Sequence, residues 1–231
     1  MDKPVSPASP SSKTSKKGIF ITFEGIEGSG KTTQLDLLYQ TLKTKKIPVV
    51  KTFEPGGSSH GEKIRDLVIG FSQKKISKLT ELFLFLADRT QHVQEIILPT
   101  LSKNQIVLCD RFSDSTLTYQ GYGRGIDLDL IAKTNLAASF NLVPDLTFFL
   151  DLPVLEGLRR VRKRGKLNRM DKETVFFYEK VRKGYLKLAE GEKRIKVLDA
   201  LQDKKKLQQE IFQQTSKLLS KRFNCSLERL T

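Results

Sequence analysis

From Gly18 onward the apolar residues follow two alternating rhythms. Ile19-Phe20-Ile21-Thr22-Phe23 is a β-branched and aromatic run, and beyond a glycine-rich stretch Leu35, Leu37, Leu38 and Leu42 recur at helical spacing. This reads as strand, loop, helix. The alternation continues with a short strand near 48–52, a long helix around 78–98, a buried strand at 105–109, a helix at about 128–140 and an all-apolar strand at 146–150. Near-continuous apolar strands separated by helices predict an α/β class, with a parallel sheet covered by helices on both faces. In such sheets a ligand sits beyond the carboxyl ends of the strands. The segments after Phe23, Thr52, Cys109 and Leu150 are therefore where chemistry is expected.

Composition narrows the setting. Residues 1–17 are rich in Ser, Pro and Lys with few apolar side chains, so they are expected to form a disordered tail. The remainder, 18–231, suits a single domain. No apolar run approaches the roughly 18 residues of a membrane span, and no secretory signal pattern is present. Cys109 and Cys225 are the only cysteines and form no CxxC, which argues against a disulfide framework or a zinc site and for a reducing cytoplasm. The net charge of +15 points to a polyanionic partner, either nucleic acid or nucleotide phosphates. Lys13, Lys16, Lys17 and the 204–206 lysines read as solvated charge, leaving a basic cluster around 159–169.

Five stretches carry candidate chemistry. After the first strand, Gly25-Ile26-Glu27-Gly28-Ser29-Gly30-Lys31-Thr32 matches G-x-x-x-x-G-K-[ST]. In that motif backbone N–H groups cradle phosphates, the lysine reaches the β- and γ-phosphates and the hydroxyl ligates Mg²⁺. The strand ending in Asp110-Arg111 offers a carboxylate for the metal shell and a guanidinium for a phosphate, unless the two form a plain strand-end salt bridge. Arg159, Arg160, Arg162, Lys163, Arg164, Lys166 and Arg169 make either a solvated basic helix or an arginine-bearing lid, with Gly165 as its hinge. Phe85 and Arg89 share one helix face and suit the stacking and hydrogen bonding of a pyrimidine, although from spacing alone core packing is the simpler use for Phe85. Tyr119-Gln120-Gly121-Tyr122-Gly123-Arg124-Gly125 reads as a glycine-rich loop whose Gln120 amide both donates and accepts.

In linear order these pieces resemble the bacterial-type thymidylate kinases. The similarity runs through Phe23-Glu24-Gly25 and the phosphate loop to Thr33-Gln34, Glu54-Pro55-Gly56-Gly57, Phe85 to Arg89, Asp110-Arg111-Phe112, Ser115, Tyr119-Gln120-Gly121 and Pro144-Asp145. It covers about 18–200. The resemblance implies a P-loop nucleoside monophosphate kinase fold with an arginine-rich lid at about 156–171. It also implies Mg²⁺-dependent transfer of the ATP γ-phosphoryl group to dTMP, in a homodimer.

By the same resemblance, Gly25 to Thr33 bind ATP, with Lys31 catalytic and with Thr32 and Asp110 at the metal. Phe85 stacks on thymine and Arg89 bonds it. Arg111 holds the acceptor phosphate, with Glu54, Pro55 and Arg65 nearby, and Ser115, Tyr119 and Gln120 complete the acceptor pocket. Because the loop carries Glu27 and no arginine, the lid must supply the transition-state cation, from Arg160, Arg162 or Arg164, with Arg164 first. Phe53 stands where bacterial members usually carry arginine, so one acceptor-side charge is missing or supplied from elsewhere.

The reaction fits the residues on physical grounds too. A monophosphate with a second pKa of about 6 is already a dianionic nucleophile at neutral pH. No general base is needed, only positioning and charge neutralisation. Two other readings are a kinase for another acceptor and a nucleic-acid-dependent ATPase. A nucleoside acceptor would require a base, for which Glu24 is the candidate. The ATPase lacks the interleaved aromatic and basic pattern of a strand-binding groove, so neither nucleic acid nor membrane is an expected partner.

Overall fold

The computed structural model describes residues 18–70, 76–165 and 168–223. The tail expected at 1–17, Cys225 and Lys166 lie outside them. The chain runs β1 (Ile19–Glu24), α1 (Lys31–Thr44), β2 (Val49–Phe53), α2 (Gly61–Ile69) and α3 (Lys78–His92). α3 continues through a π-helical turn (Val93–Ile97) into α4 (Leu98–Ser102). Then come β3 (Ile106–Asp110), α5 (Ser113–Thr116), a second π-helical turn (Leu117–Gly123), α6 (Leu128–Ala138), β4 (Leu146–Asp151) and α7 (Val154–Arg164). A 3₁₀ turn (Met170–Lys172), α8 (Val175–Gly191), β5 (Ile195–Asp199) and α9 (Lys204–Phe223) complete the order.

The sheet is five-stranded and wholly parallel, in the order β2-β3-β1-β4-β5. β1 is central and buried along its whole length, which is why apolar residues dominate both of its faces, with Thr22 and Glu24 as its only polar members. Ile19, Ile21 and Phe23 join the core formed with Leu35, Leu38 and Leu42 of α1, Tyr178, Val181 and Tyr185 of α8 and Ile211 of α9. Phe20 packs the opposite way, with Val93, Ile97, Leu101 and Val107. Helices thus cover both faces, as the alternation predicts.

Register levels the carboxyl ends, since Asp110 pairs with Phe23 on one side and Phe53 on the other. After β3 the chain crosses to the other side of β1. Such a crossing opens a crevice at the strand ends, and the glycine-rich loop lies there.

One expectation is corrected. Tyr119 to Gly123, read as a loop, belongs to the π-helical turn. Its glycines do permit close approach, but of protein: a Cβ on Gly121 would come within 2.5 Å of Leu128, and one on Gly123 within 2.5 Å of the Phe177 ring.

Candidate active site

The glycine-rich loop follows β1 directly. Gly28 has φ +76°, and a Cβ there would lie 2.4 Å from the Gly157 carbonyl oxygen, so neither the backbone conformation nor the packing admits a side chain. α1 then begins at Lys31 without a side-chain cap, so its first-turn N–H groups are available to an anion. Lys31 is buried and donates to the Ile26 carbonyl at 2.9 Å. Burial first, and then the charge of Arg111, push its pKa down to about 8. A phosphate at the loop would offer the ammonium the counter-charge that burial denies it.

Asp110 and Arg111 stand at the end of β3. The Thr32 hydroxyl donates to Asp110 Oδ2, so two hard oxygens from separate elements converge beside the loop. This donor chemistry fits Mg²⁺, which uses one or two protein oxygens together with phosphates and water. Among the described residues there is no cage of three or more His, Cys, Asp or Glu.

Arg111 adopts a left-handed backbone, φ +71°, and its N–H donates to Phe23 O at 3.0 Å, locking the ends of β3 and β1 together. Its guanidinium donates to Gly25 O at 3.0 Å and Glu27 Oε1 at 2.9 Å and lies 5.0 Å over the Tyr119 ring. Glu27 also accepts the Tyr119 hydroxyl at 2.6 Å. Burial works to raise the Glu27 carboxyl, yet Arg111, Lys31 and Tyr119 prevail and hold it below the usual range. The glutamate in the loop therefore pre-organises Arg111.

Behind this layer Glu24 accepts from the Phe112 N–H at 2.7 Å, Ser115 Oγ at 2.6 Å and Tyr185 Oη at 2.8 Å. Burial, with the charge of Asp114 adding to it, pushes Glu24 up to about 7.

The opposite wall rests on α3. Glu81, Phe85, Arg89 and His92 recur at helical spacing, so one stripe of α3 carries an aromatic ring among three polar groups. Arg89 is buried and donates to Glu54 Oε2 at 3.0 Å, Asn135 Oδ1 at 2.5 Å and Thr116 Oγ1 at 3.0 Å. Three of its five N–H groups are thus engaged by protein. Glu54 is held again by His92 Nδ1 at 2.9 Å, whose Nε2 meets Thr52 Oγ1 at 2.6 Å. Gln120 is buried and donates to Glu81 Oε1 at 2.9 Å. Arg65 donates to the Pro55 carbonyl at 2.7 Å and sits 5.6 Å over the ring of Phe53.

A cleft of about 800 Å³ joins the two walls. Of the residues singled out from the sequence it is lined by Glu27, Gly28, Gly30, Lys31, Thr32, Thr33, Glu54, Pro55, Arg65, Phe85, Arg89, Asp110, Arg111, Ser115, Tyr119, Gln120 and Arg164. Gly25, Ile26 and Ser29 do not line it and are buried within the loop. The arginines of α7 expected to serve a lid divide. Arg164 lines the cleft and pairs with Asp171 at 3.1 Å. Arg160 is held by Glu156 at 2.8 Å and the Ala200 carbonyl at 3.3 Å, and Arg162 lines a separate hollow with Val161, Lys172 and Thr174. Thr116, Asn168 and Met170 also line the cleft, and Glu81, Asn135 and His92 support it, without having been singled out. For Glu81 and His92 the signal was present: the Phe85 and Arg89 stripe extended by one turn each way.

Residues 23–211 match the family model described as thymidylate kinase. The chain is 48% identical over 192 residues to a thymidylate kinase of Desulfovibrio desulfuricans, covering 80% of this chain and 88% of the relative. It is 47% identical over 196 residues to one of Carboxydothermus hydrogenoformans, covering 85% and 94%. Among solved structures, thymidylate kinase from Ehrlichia chaffeensis is similar with a TM-score of 0.70 at 36% identity, covering 86% of this chain and 98% of that one.

Proposed function

The chain belongs to the thymidylate kinase family, and from that premise we propose how its cleft phosphorylates dTMP to dTDP with ATP as donor. The observation that carries the reading is one cleft lined by Lys31 and glycines of the phosphate loop as well as by Arg65, Phe85, Gln120 and Arg111. ATP lies with its phosphates along the 25–33 loop. dTMP lies against α3, its base on Phe85 beside Arg89 and Gln120, and its phosphate turned toward Arg111 and Arg65.

Thr32 and Asp110 would hold Mg²⁺, and that ion would supply neutralisation of the phosphate charge. Lys31 and Arg111 bring two polyanions together. The acceptor phosphate attacks without a base, since it is already a dianion. Arg164, on a lid at 156–171 that turns at Gly165, supplies the remaining cation as the γ-phosphoryl group transfers. Arg65 takes the part that an arginine at position 53 would otherwise play.

We also read the enzyme as cytoplasmic and dimeric. No helix among the described residues is long and apolar enough to cross a membrane. Leu79 and Phe83, one turn apart and about half exposed on α3, give a second copy an apolar face.

The test is ADP release from ATP and Mg²⁺ with dTMP, dUMP, dGMP, thymidine or single-stranded DNA offered separately, with Lys31→Ala as the blank. Turnover with dTMP that falls at least ~10²-fold in the blank is the expected result. Turnover with DNA or another acceptor, and none with dTMP, overturns the reading.

A further inference from the structure

One turn before Phe85 on α3 stands Glu81, a carboxylate only 2% exposed that touches neither loop nor cleft. Four donors converge on it. Oε1 accepts from Gln120 Nε2 at 2.9 Å and Arg124 Nε at 3.0 Å, while Oε2 accepts from Arg124 at 3.3 Å and Arg169 at 2.5 Å. Burial works to raise the Glu81 carboxyl, but Arg124, Gln120 and Arg169 together hold it below its ordinary value. It is therefore an anion that only accepts hydrogen bonds.

That property decides which way Gln120 faces. A side-chain amide can turn over and exchange its oxygen for its NH₂ group. Against an ionised carboxylate only the NH₂ end is admissible, so Gln120 keeps Nε2 toward Glu81 and has Oε1 and one further N–H for other partners. Thymine and uracil present an N–H donor at N3 beside a carbonyl acceptor at C4. Cytosine inverts both, with a bare N3 beside an amino group. An amide fixed in one orientation matches the first edge and meets the second acceptor to acceptor and donor to donor.

We propose that Glu81 is a positioning residue that locks the Gln120 amide in the orientation complementary to thymine, and so makes the cleft reject a cytosine acceptor. This rests on the reading that a pyrimidine monophosphate binds against α3. Arg124 and Arg169 serve by keeping the carboxylate charged where it is buried.

The experiment is kcat/KM with dTMP and with dCMP for the full chain, Glu81→Gln, Glu81→Asp, Gln120→Leu and the Glu81→Gln/Gln120→Leu double variant. The unsubstituted chain is expected to prefer dTMP by ~10³-fold or more. Glu81→Gln, whose own amide offers either end, narrows that preference by about tenfold. In the Gln120→Leu background the same change leaves the preference where it is, because its route is gone. Should Glu81→Gln fail to fold in a circular-dichroism melt, Glu81→Asp keeps the charge, withdraws it from Gln120 and still narrows the preference several-fold.

Loss of activity by a common factor for both acceptors in the folded variants overturns the proposal. So does a change of preference that persists without Gln120. No turnover with dTMP by the unsubstituted chain removes the underlying reading and the proposal with it, whereas turnover with dTMP and an unmoved preference in the variants overturns the proposal alone.

Discussion

On the side of the cleft proposed for the donor, the contacts assigned to phosphate come from one continuous stretch, 25–33, and most of them are backbone. Glycine conformations, an uncapped helix start and one buried lysine are enough. On the acceptor side the wall is built of side chains from β2, α2, α3, the turn after α5 and the segment after α7. Buried ions hold those side chains: Arg89 to Glu54, Asn135 and Thr116, and Glu81 to Gln120, Arg124 and Arg169. Phosphate is a high charge that any converging N–H group can meet, whereas a base edge needs donors and acceptors at fixed places. Fixing them requires scaffolding beyond the contact residues themselves.

The sharpest way to break this comparison is to remove one ion from each side. Arg89→Leu leaves Glu54 buried without its cation and should cost on the order of 3–5 kcal/mol of folding stability along with dTMP affinity. Lys31→Ala should abolish turnover while moving stability by less than ~1 kcal/mol. Urea unfolding followed by circular dichroism measures both. Equal stabilities for the two variants would mean that the acceptor wall does not depend on its ionic scaffold.

The same contrast explains what was legible in the sequence. The phosphate loop is local, so its spacing alone located it between β1 and α1. The central strands and the long α3 were legible because they are buried on both faces or strongly periodic. β5 was not, since an edge strand with only Ile195 and Leu198 turned inward amid Lys196 and Asp199 carries little pattern. α8 opens on Val175-Phe176-Phe177-Tyr178, an aromatic start that masks the helical spacing of Phe177, Val181 and Tyr185. Phe85 and Arg89 were found as a pair. The partners of Arg89, Glu54, Asn135 and Thr116, stand 35, 46 and 27 positions away, and no spacing rule reaches that far.

The basic residues of α7 offer the next test, because they look alike in sequence and differ in place. Arg164→Ala should lower kcat about 10²-fold, as expected for a cation at developing phosphoryl charge. Arg160→Ala and Arg162→Ala should change it only a few-fold, since Arg160 braces Glu156 and Ala200 and Arg162 faces another hollow. A large loss at Arg162 with none at Arg164 would reassign the donor-side cation.

Glu24 lies on the seam between the two sides and links them to pH. Its folded pKa of about 7 stands above the ordinary 4.5, so the folded state holds this proton more tightly than the unfolded chain. Its contribution is complete below about pH 4.5 and is lost as pH rises through 7. Relative to Glu24→Gln, the unsubstituted chain should therefore lose on the order of 1–3 kcal/mol between pH 5 and 8. A difference that stays flat over that range would show that the carboxyl is ionised throughout.

The smallest effect comes from Arg65, an acceptor-side cation for which no carboxylate ion pair is found among the described residues. Arg65 is oriented by the Pro55 carbonyl and by lying over Phe53, an exposed ring at the end of β2. A cation over an exposed aromatic face contributes about 0.5–1 kcal/mol. Phe53→Ala should accordingly raise the KM for dTMP roughly two- to five-fold, with kcat nearly unchanged, because the bond to Pro55 still keeps Arg65 near the acceptor phosphate. Phe53→Leu preserves bulk but removes the π face, and should behave like the alanine variant if the ring's charge distribution is what matters. The KM for ATP should not move in either. An equal rise for ATP and dTMP would mean that Phe53 shapes the whole cleft, and that its two sides are not separable at this edge.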